Sequence, residues 1–167
     1  VGTFGMIALV LPLFPDATRE FAPVVVVLAV ISIIYGALLA VGQTDMKRLI
    51  AYTSISHFGF IVLGIFALTS QGVAGSTLYM VNHGLSTVAL FVIVGFLIVR
   101  RGSRLVADYG GVAQPAPILA GSLLFAGLSG LALPGLATFV SEFLVLVGTY
   151  SRYRAAGVVA TVGIILA

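Results

Sequence analysis

Apolar segments long enough to cross a membrane, separated by short polar loops, make up most of this sequence of 167 residues. A helix needs about 20 apolar residues to span the hydrocarbon core of a bilayer. Here 60% of the residues are hydrophobic and only 8% are charged, and a domain that faces water on all sides needs far more charged residues. The composition therefore predicts an all-α, polytopic transmembrane helix bundle. It excludes a soluble domain, a disordered region and a nucleic-acid binder.

Turn signals divide the chain into apolar segments of one transmembrane domain fragment. Pro23 is expected in the first turn of a helix, where its missing N–H costs nothing, after a loop over 14–22. Thr44 or Asp45 is expected to cap the next helix. Because Val1 lies inside an apolar run, we expect the chain to be part of a longer polypeptide. The predicted spans are about 1–13 (partial), 23–42, 45–67, 73–99, 116–149 and 155–167 (partial).

The segment over 116–149 is too long for one transmembrane helix. A continuous helix of this length would measure about 51 Å, against about 30 Å for the hydrocarbon core. Pro134 removes a helix hydrogen bond, and Gly130 and Gly135 permit non-helical backbone. Such breaks are tolerated only where the backbone is buried or lines a cavity, and in transporters they often mark the ion path. The sequence predicts a discontinuous helix broken near 131–135; a proline kink or two short spans are the alternatives.

The distribution of basic residues predicts which loops face the cytoplasm. The loops at 43–48 and 100–114 hold five Lys and Arg residues, and those at 14–22, 69–72 and 150–154 hold three. Cytoplasmic loops of membrane proteins carry an excess of basic residues. The loops at 43–48 and 100–114 are therefore expected on the cytoplasmic side.

Glu142 lies among apolar residues in the half-helix that follows the predicted break. A lone carboxylate at that depth costs several kcal/mol if ionised, so it should pair with another group or take up a proton. Thr138 lies on the same helix face and is expected to help solvate it. We interpret Glu142 as a proton site. The alternative is a carboxylate near the helix end, paired with Arg152 or Arg154.

His83 lies on a polar stripe within the segment over 73–99. A polar stripe in a membrane span faces the bundle interior or water rather than lipid, and an imidazole both gives and takes protons near neutral pH. His83 is therefore interpreted as a proton relay, and a packing histidine is the alternative. The stripe consists of Ser76, Tyr79, Asn82, His83 and Ser86.

Lys47 lies in the first turn of its helix, with Ser54 and His57 on nearby faces. One interpretation is a charged gate at the end of a path that these three residues line. The other is a snorkelling anchor, with His57 as a packing histidine. The chain has no cysteine, and its two histidines lie on different spans, so no metal site is predicted.

Three motifs resemble the antiporter-like membrane subunits of respiratory complex I. The segment from Gln43 to His57 is similar to a signature of that family, and the segment from Met80 to Ser86 is similar to its next helix. The segments from Leu133 to Gly135 and from Phe139 to Phe143 are similar to its broken helix. Glutamate at position 142 resembles the M-type branch, which includes mitochondrial NADH dehydrogenase chain 4. The L-type and N-type subunits and the Mrp-type antiporters usually carry lysine there.

The resemblance implies a fold of two inverted repeats, in which this chain covers most of the second, from roughly the eighth helix to the thirteenth. It implies proton translocation driven by NADH oxidation and quinone reduction in other subunits of the enzyme. Those subunits would hold FMN, Fe–S clusters, NADH and quinone, and no cofactor is expected in this chain. The proton path would consist of Lys47, His83 and Glu142, with Ser54, His57, Tyr79, Asn82, Ser86 and Thr138 in support.

The resemblance further implies the L-type and N-type subunits and the lipid bilayer as partners, and no nucleic acid. The lack of cysteine and the preference for arginine over lysine favour a bacterial plasma membrane over a mitochondrial inner membrane. Two other functions remain open. One is a subunit of an Mrp-type cation/proton antiporter or of a related membrane-bound hydrogenase, and the other is a purely structural membrane subunit.

Overall fold

The computed structural model describes residues 1–166, and in this range the chain is an all-α bundle, as its composition predicts. Helices α2, α3 and α4 are long and apolar enough to cross a membrane by length and composition. How the helices cross the bilayer stays a prediction. In chain order the helices are α1 (Gly2–Leu13), α2 (Pro15–Val41), α3 (Met46–Phe66), α4 (Ser70–Arg101), α5 (Pro117–Gly130), α6 (Ala137–Arg152) and α7 (Arg154–Leu166).

Helix α2 begins at Pro15, so the loop predicted over 14–22 is wrong. Pro15 lies in the first turn, where a proline N–H is not needed, and Asp16 beside it suits the positive end of the helix dipole. The side chain of Glu20 is exposed, so the charges of this segment lie on a helix surface. Pro23 is consequently inside the helix and not in its first turn.

Side-chain oxygens fix the starts of α3 and α4. Asp45 Oδ1 accepts a hydrogen bond from the backbone N–H of Lys47 at 2.8 Å, so Asp45 rather than Thr44 is the N-cap. Thr69 Oγ1 accepts from the backbone N–H of Gly72 at 3.1 Å. Each cap satisfies a donor that a helix start otherwise leaves unpaired.

The two loops predicted to face the cytoplasm are hydrogen-bonded to each other. The Met46 N–H donates to the Arg104 carbonyl at 3.0 Å, and the Val106 N–H donates to the Thr44 carbonyl at 2.9 Å. Asp45 and Leu105 thereby form an isolated antiparallel β-bridge. Both loops therefore lie at the same end of the bundle, as the positions of the basic residues predict. The compartment at that end stays a prediction.

Glycines allow the backbones of α3, α4 and α6 to come into contact. A Cβ atom at Gly64 would lie 2.8 Å from the Gly72 carbonyl oxygen, and a Cβ atom at Gly75 would lie 2.9 Å from the Ser141 carbonyl oxygen. Small residues at such crossings are typical of membrane helices. The contact at Gly75 places the polar stripe of α4 against the face of α6 that carries Glu142.

The predicted helix break is present between α5 and α6. Pro134 has no N–H to donate to the carbonyl of Gly130, the last residue of α5. Ala132 and Gly135 adopt positive φ angles of 49° and 104°, which a right-handed helix does not allow. The chain thus leaves helical geometry over 131–136 and resumes it in α6.

We expect Gly75→Ala to destabilise the bundle by about 1–3 kcal/mol, because its methyl group would press on the backbone of α6. The measurement is thermal unfolding of the membrane-embedded protein. Gly95→Ala is the matched control on the same helix, since a Cβ atom there meets nothing within 4 Å. Equal melting temperatures for the two variants would contradict the role given to Gly75.

Candidate functional site

Four polar side chains predicted from the sequence meet in the interior between α3, α4 and α6. They are His57 of α3, Tyr79 and His83 of α4, and Glu142 of α6, and all are buried. Tyr79 and His83 share a helix face because they are four residues apart. The close crossing at Gly75, one turn before Tyr79, brings that face to Glu142.

Tyr79 joins a histidine to the buried carboxylate. Its hydroxyl donates a hydrogen bond to Glu142 Oε1, and its oxygen lies 3.1 Å from His57 Nδ1. A phenol has one proton and can also accept. Since that proton goes to the carboxylate, the Tyr79 oxygen accepts from the N–H at His57 Nδ1. The three groups form one hydrogen-bonded chain that lies wholly inside the protein.

His83 packs beside both His57 and Tyr79, with its ring centroid 6.3 Å from that of Tyr79, and it has its own hydrogen bonds. The Ser54 hydroxyl is 2.9 Å from His83 Nε2, and the Thr87 hydroxyl is 3.3 Å from His83 Nδ1. The ring centroids of His57 and His83 are 5.2 Å apart. Within residues 1–166, the hydrogen bonds of the two rings go to other groups, those of His83 to Ser54 and Thr87 and that of His57 to Tyr79.

Two cavities border this cluster. The larger, of about 510 Å³, lies between α3, α4 and α5 and is lined by His57 and His83. The smaller, of about 30 Å³, is lined by His57 and Glu142, and its volume corresponds to about one water molecule. Gly130 and Leu131, at the end of α5, line both cavities. The helix break thus forms the wall between the space beside His83 and the space beside Glu142.

Thr138 has a different hydrogen bond from the one that the sequence predicts. Its hydroxyl donates to the Ser129 carbonyl at 2.7 Å, so it connects α6 to the last turn of α5 across the break. Its expected bond to Glu142 is replaced by the one from Tyr79. Sequence reasoning missed Ser129, although a carbonyl near the end of a broken helix regularly lacks a helical partner.

The remaining residues of the predicted stripe support the cluster in different ways. The Ser76 hydroxyl donates to the Ile61 carbonyl at 2.8 Å and so joins α4 to α3. The Ser86 hydroxyl donates to the carbonyl of His83 in its own helix at 3.2 Å. Asn82 Nδ2 is buried, and within residues 1–166 it has no hydrogen-bond partner.

The basic residues considered in the sequence lie apart from Glu142. Lys47 is half-buried near the start of α3 and lines neither cavity. Arg152 Nη1 is 3.5 Å from the Ala67 carbonyl oxygen, and the hydrogen-bond partner of Glu142 is Tyr79 rather than an arginine. Among residues 1–166, no three His, Cys, Asp or Glu side chains are placed to hold a metal ion.

Comparison with known proteins gives consistent results over the whole chain. A family model described as "NADH:quinone oxidoreductase/Mrp antiporter, TM" matches residues 1–167. The chain is 61% identical to NADH-quinone oxidoreductase subunit M of Mycobacterium tuberculosis (strain CDC 1551 / Oshkosh), covering 99% of this chain and 30% of that protein. It is 42% identical to NADH-ubiquinone oxidoreductase chain 4 of Marchantia polymorpha, covering 99% of this chain and 34% of that protein.

The fold also matches a solved structure. A chain in respiratory complex I from Thermus thermophilus with bound NADH superposes with a TM-score of 0.95 and 35% sequence identity. The match covers 99% of this chain and 36% of that chain. The sequence therefore spans about a third of the length of the curated relatives it matches.

We expect Thr138→Val to loosen the helix break, because it removes the hydroxyl that bonds to Ser129 while preserving side-chain shape. The loss in stability should be about 1 kcal/mol, and backbone amides over 131–137 should exchange their hydrogens faster. Hydrogen exchange followed by mass spectrometry measures this. Thr161→Val is the control, since the exposed Thr161 bonds only within its own helix. Unchanged exchange in Thr138→Val would contradict the role of this hydrogen bond.

Proposed function

This chain belongs to the NADH:quinone oxidoreductase/Mrp antiporter transmembrane family, and on that premise we propose that it translocates protons within the membrane part of an NADH-quinone oxidoreductase. NADH oxidation and quinone reduction take place in other subunits, and the free energy of that reaction drives proton transfer through this one. The chain carries out no redox chemistry itself. Its contribution to the enzyme is a path for protons across the membrane.

One observation carries this proposal: a buried carboxylate is hydrogen-bonded to a buried histidine through a tyrosine. Glu142 accepts its hydrogen bond from an uncharged phenol and not from a cation. A carboxylate in such surroundings changes its proton occupancy when nearby charges move. Ionisable groups inside membrane proteins commonly belong to proton relays. In this cluster a proton donor, the imidazole of His57, is connected through Tyr79 to a proton acceptor, the carboxylate of Glu142.

The cavity and the hydrogen-bonded chain give the order of sites on the proposed path. Protons enter the larger cavity, which is lined by His83 and His57, and leave it through the hydrogen-bonded chain that ends at Glu142. Lys47 lines neither cavity, and from the start of α3 it helps connect the path to its hydrated entry. Ser54 orients His83 through its hydrogen bond to Nε2.

The supporting groups act on the same path. Ser86 and Thr87 line the larger cavity beside His83, and Asn82 precedes His83 on the same helix outside that lining. Thr138 holds the two half-helices together beside Glu142. The helix break at Gly130, Pro134 and Gly135 separates the two half-helices beside this path, and Gly130 lines both cavities.

The surroundings of the chain follow from the same proposal. FMN, Fe–S clusters, NADH and quinone are bound by other subunits of the complex. The L-type and N-type antiporter-like subunits are its neighbours in the membrane. The location is a bacterial plasma membrane, an assignment favoured by the 61% identity to the mycobacterial subunit.

Glu142→Gln, in the complete enzyme, should reduce proton pumping per NADH by about tenfold or more, because the amide keeps the shape of the carboxyl group but cannot exchange a proton. Pumping is measured in sealed membrane vesicles, with assembly of the complex and quinone reductase activity measured in parallel. Glu20→Gln is the matched control, since that carboxylate is exposed on α2.

A complex that assembles normally and pumps at the wild-type rate with Glu142→Gln would refute the proposal. Reduced assembly with normal pumping in the assembled fraction would instead indicate a purely structural subunit. Loss of pumping in both variants would show that the effect is not specific to Glu142.

A further inference from the structure

We propose that Tyr79 is the obligatory relay between His57 and Glu142, passing one proton to the carboxylate for each proton that it takes from the imidazole. This inference rests on the proposed function, because it concerns the route by which protons reach Glu142. It assigns a specific step to a tyrosine that the proposed function includes only as a member of the hydrogen-bonded chain.

The Tyr79 hydroxyl lies between the two groups of the proposed transfer. Its oxygen contacts the two groups that must exchange a proton, at 3.1 Å from His57 Nδ1 and within hydrogen-bond distance of Glu142 Oε1. The side chain is 0% exposed and lines neither cavity. A buried hydroxyl without a partner costs about 1–3 kcal/mol, and here it has one partner on each side.

A phenol has a single proton, and this makes the two partners of Tyr79 interdependent. When the Tyr79 hydroxyl donates to an ionised Glu142, its oxygen can accept only from a protonated His57 Nδ1. When Glu142 is protonated and donates to the Tyr79 oxygen, the hydroxyl donates to a bare His57 Nδ1. The protonation state of the carboxyl group is therefore coupled to which nitrogen of His57 carries the proton.

The transfer step balances without forming a tyrosinate. His57, protonated at Nδ1, first takes up a second proton at Nε2 from the cavity that it shares with His83, and becomes an imidazolium. The N–H bond at Nδ1 then breaks as an O–H bond forms at Tyr79, while the original O–H bond of Tyr79 breaks as one forms at Glu142. His57 ends neutral with its proton at Nε2, Tyr79 is again a neutral phenol, and Glu142 is a neutral acid.

The two cavities favour this route over a chain of water molecules. The larger cavity is lined by both histidines but not by Glu142, and the small one, which contacts both His57 and Glu142, has a volume of only about 30 Å³. That volume corresponds to about one water molecule. His57 Nδ1 is already engaged with Tyr79, so Nε2 is the nitrogen left to receive protons on the histidine side.

Neighbouring contacts hold Tyr79 in place for this task. Gly75 allows α4 to approach the backbone of α6 one turn before Tyr79. The Ser76 hydroxyl bonds to the Ile61 carbonyl at 2.8 Å and fixes α4 against α3. These two contacts set the distances from the phenol to His57 on one helix and to Glu142 on another.

The first experiment is Tyr79→Phe in the complete NADH-quinone oxidoreductase, with proton pumping, assembly and quinone reductase activity measured in sealed vesicles. We expect pumping in the assembled complex to fall by about tenfold or more, since the ring remains but the relay oxygen is lost. Tyr52→Phe is the matched control. Tyr52 is a half-buried tyrosine of α3, and in the part of the chain that the structure describes its hydroxyl is not engaged in the cluster.

A second experiment separates a relay from a support and remains informative if Tyr79→Phe does not assemble. Site-specific replacement of Tyr79 by 3,5-difluorotyrosine keeps the ring and the hydroxyl but makes the phenol more acidic. A relay predicts a changed pumping rate and a changed solvent deuterium isotope effect on pumping. A purely structural tyrosine predicts that both stay at their wild-type values.

The combined outcomes distinguish failure of this inference from failure of the proposed function. If Glu142→Gln abolishes pumping while Tyr79→Phe pumps at the wild-type rate, the relay through Tyr79 is wrong and a water molecule in the small cavity carries the proton. If neither variant affects pumping, the proposed function fails as well. Loss of pumping with both variants, together with an altered isotope effect in the fluorinated enzyme, supports the relay.

Discussion

A polar group inside a bilayer has no water to bond to, so it must find its partner within the protein. This constraint accounts for most of the specific contacts in the bundle. Thr138 bonds to the carbonyl that the broken helix leaves free, and Tyr79 bonds to Glu142. Lipid-facing helix surfaces need only to be apolar, whereas a buried donor or acceptor costs free energy until it is paired; among residues 1–166, Asn82 Nδ2 and Thr149 Oγ1 are the buried side-chain atoms that have no partner. Small residues and hydrogen bonds consequently act together with the apolar core to position the helices.

Much of this arrangement could be predicted from the sequence, because membrane spans, caps and helix breaks depend on local chemistry. Pro134 between two glycines predicts the break, and Asp45 before an apolar run predicts a cap. The burial of His83 and Glu142 follows from their apolar neighbours. In these cases a residue and its near neighbours in the sequence are enough to predict the local conformation or the burial of the side chain.

The contacts between helices could not be predicted in the same way. The hydrogen bond from Tyr79 to Glu142 depends on the point at which α4 crosses α6. Gly75 allows the close approach there, but its contact with α6 is visible only in the folded structure. The early start of α2 was missed for another reason, since charges near Glu20 are as compatible with an exposed helix face as with a loop. Periodicity identifies a face but not the element that packs against it.

The turn at Gly130 and Leu131 is a wall shared by two spaces of very different size. A shared wall means that the water content on its two sides is not independent. If this turn moved toward one space, the other would gain volume, and hydration beside the histidines would change in the opposite direction from hydration beside the carboxylate. The volume available to water beside the histidines and the volume beside the carboxylate would then both depend on the position of this one turn.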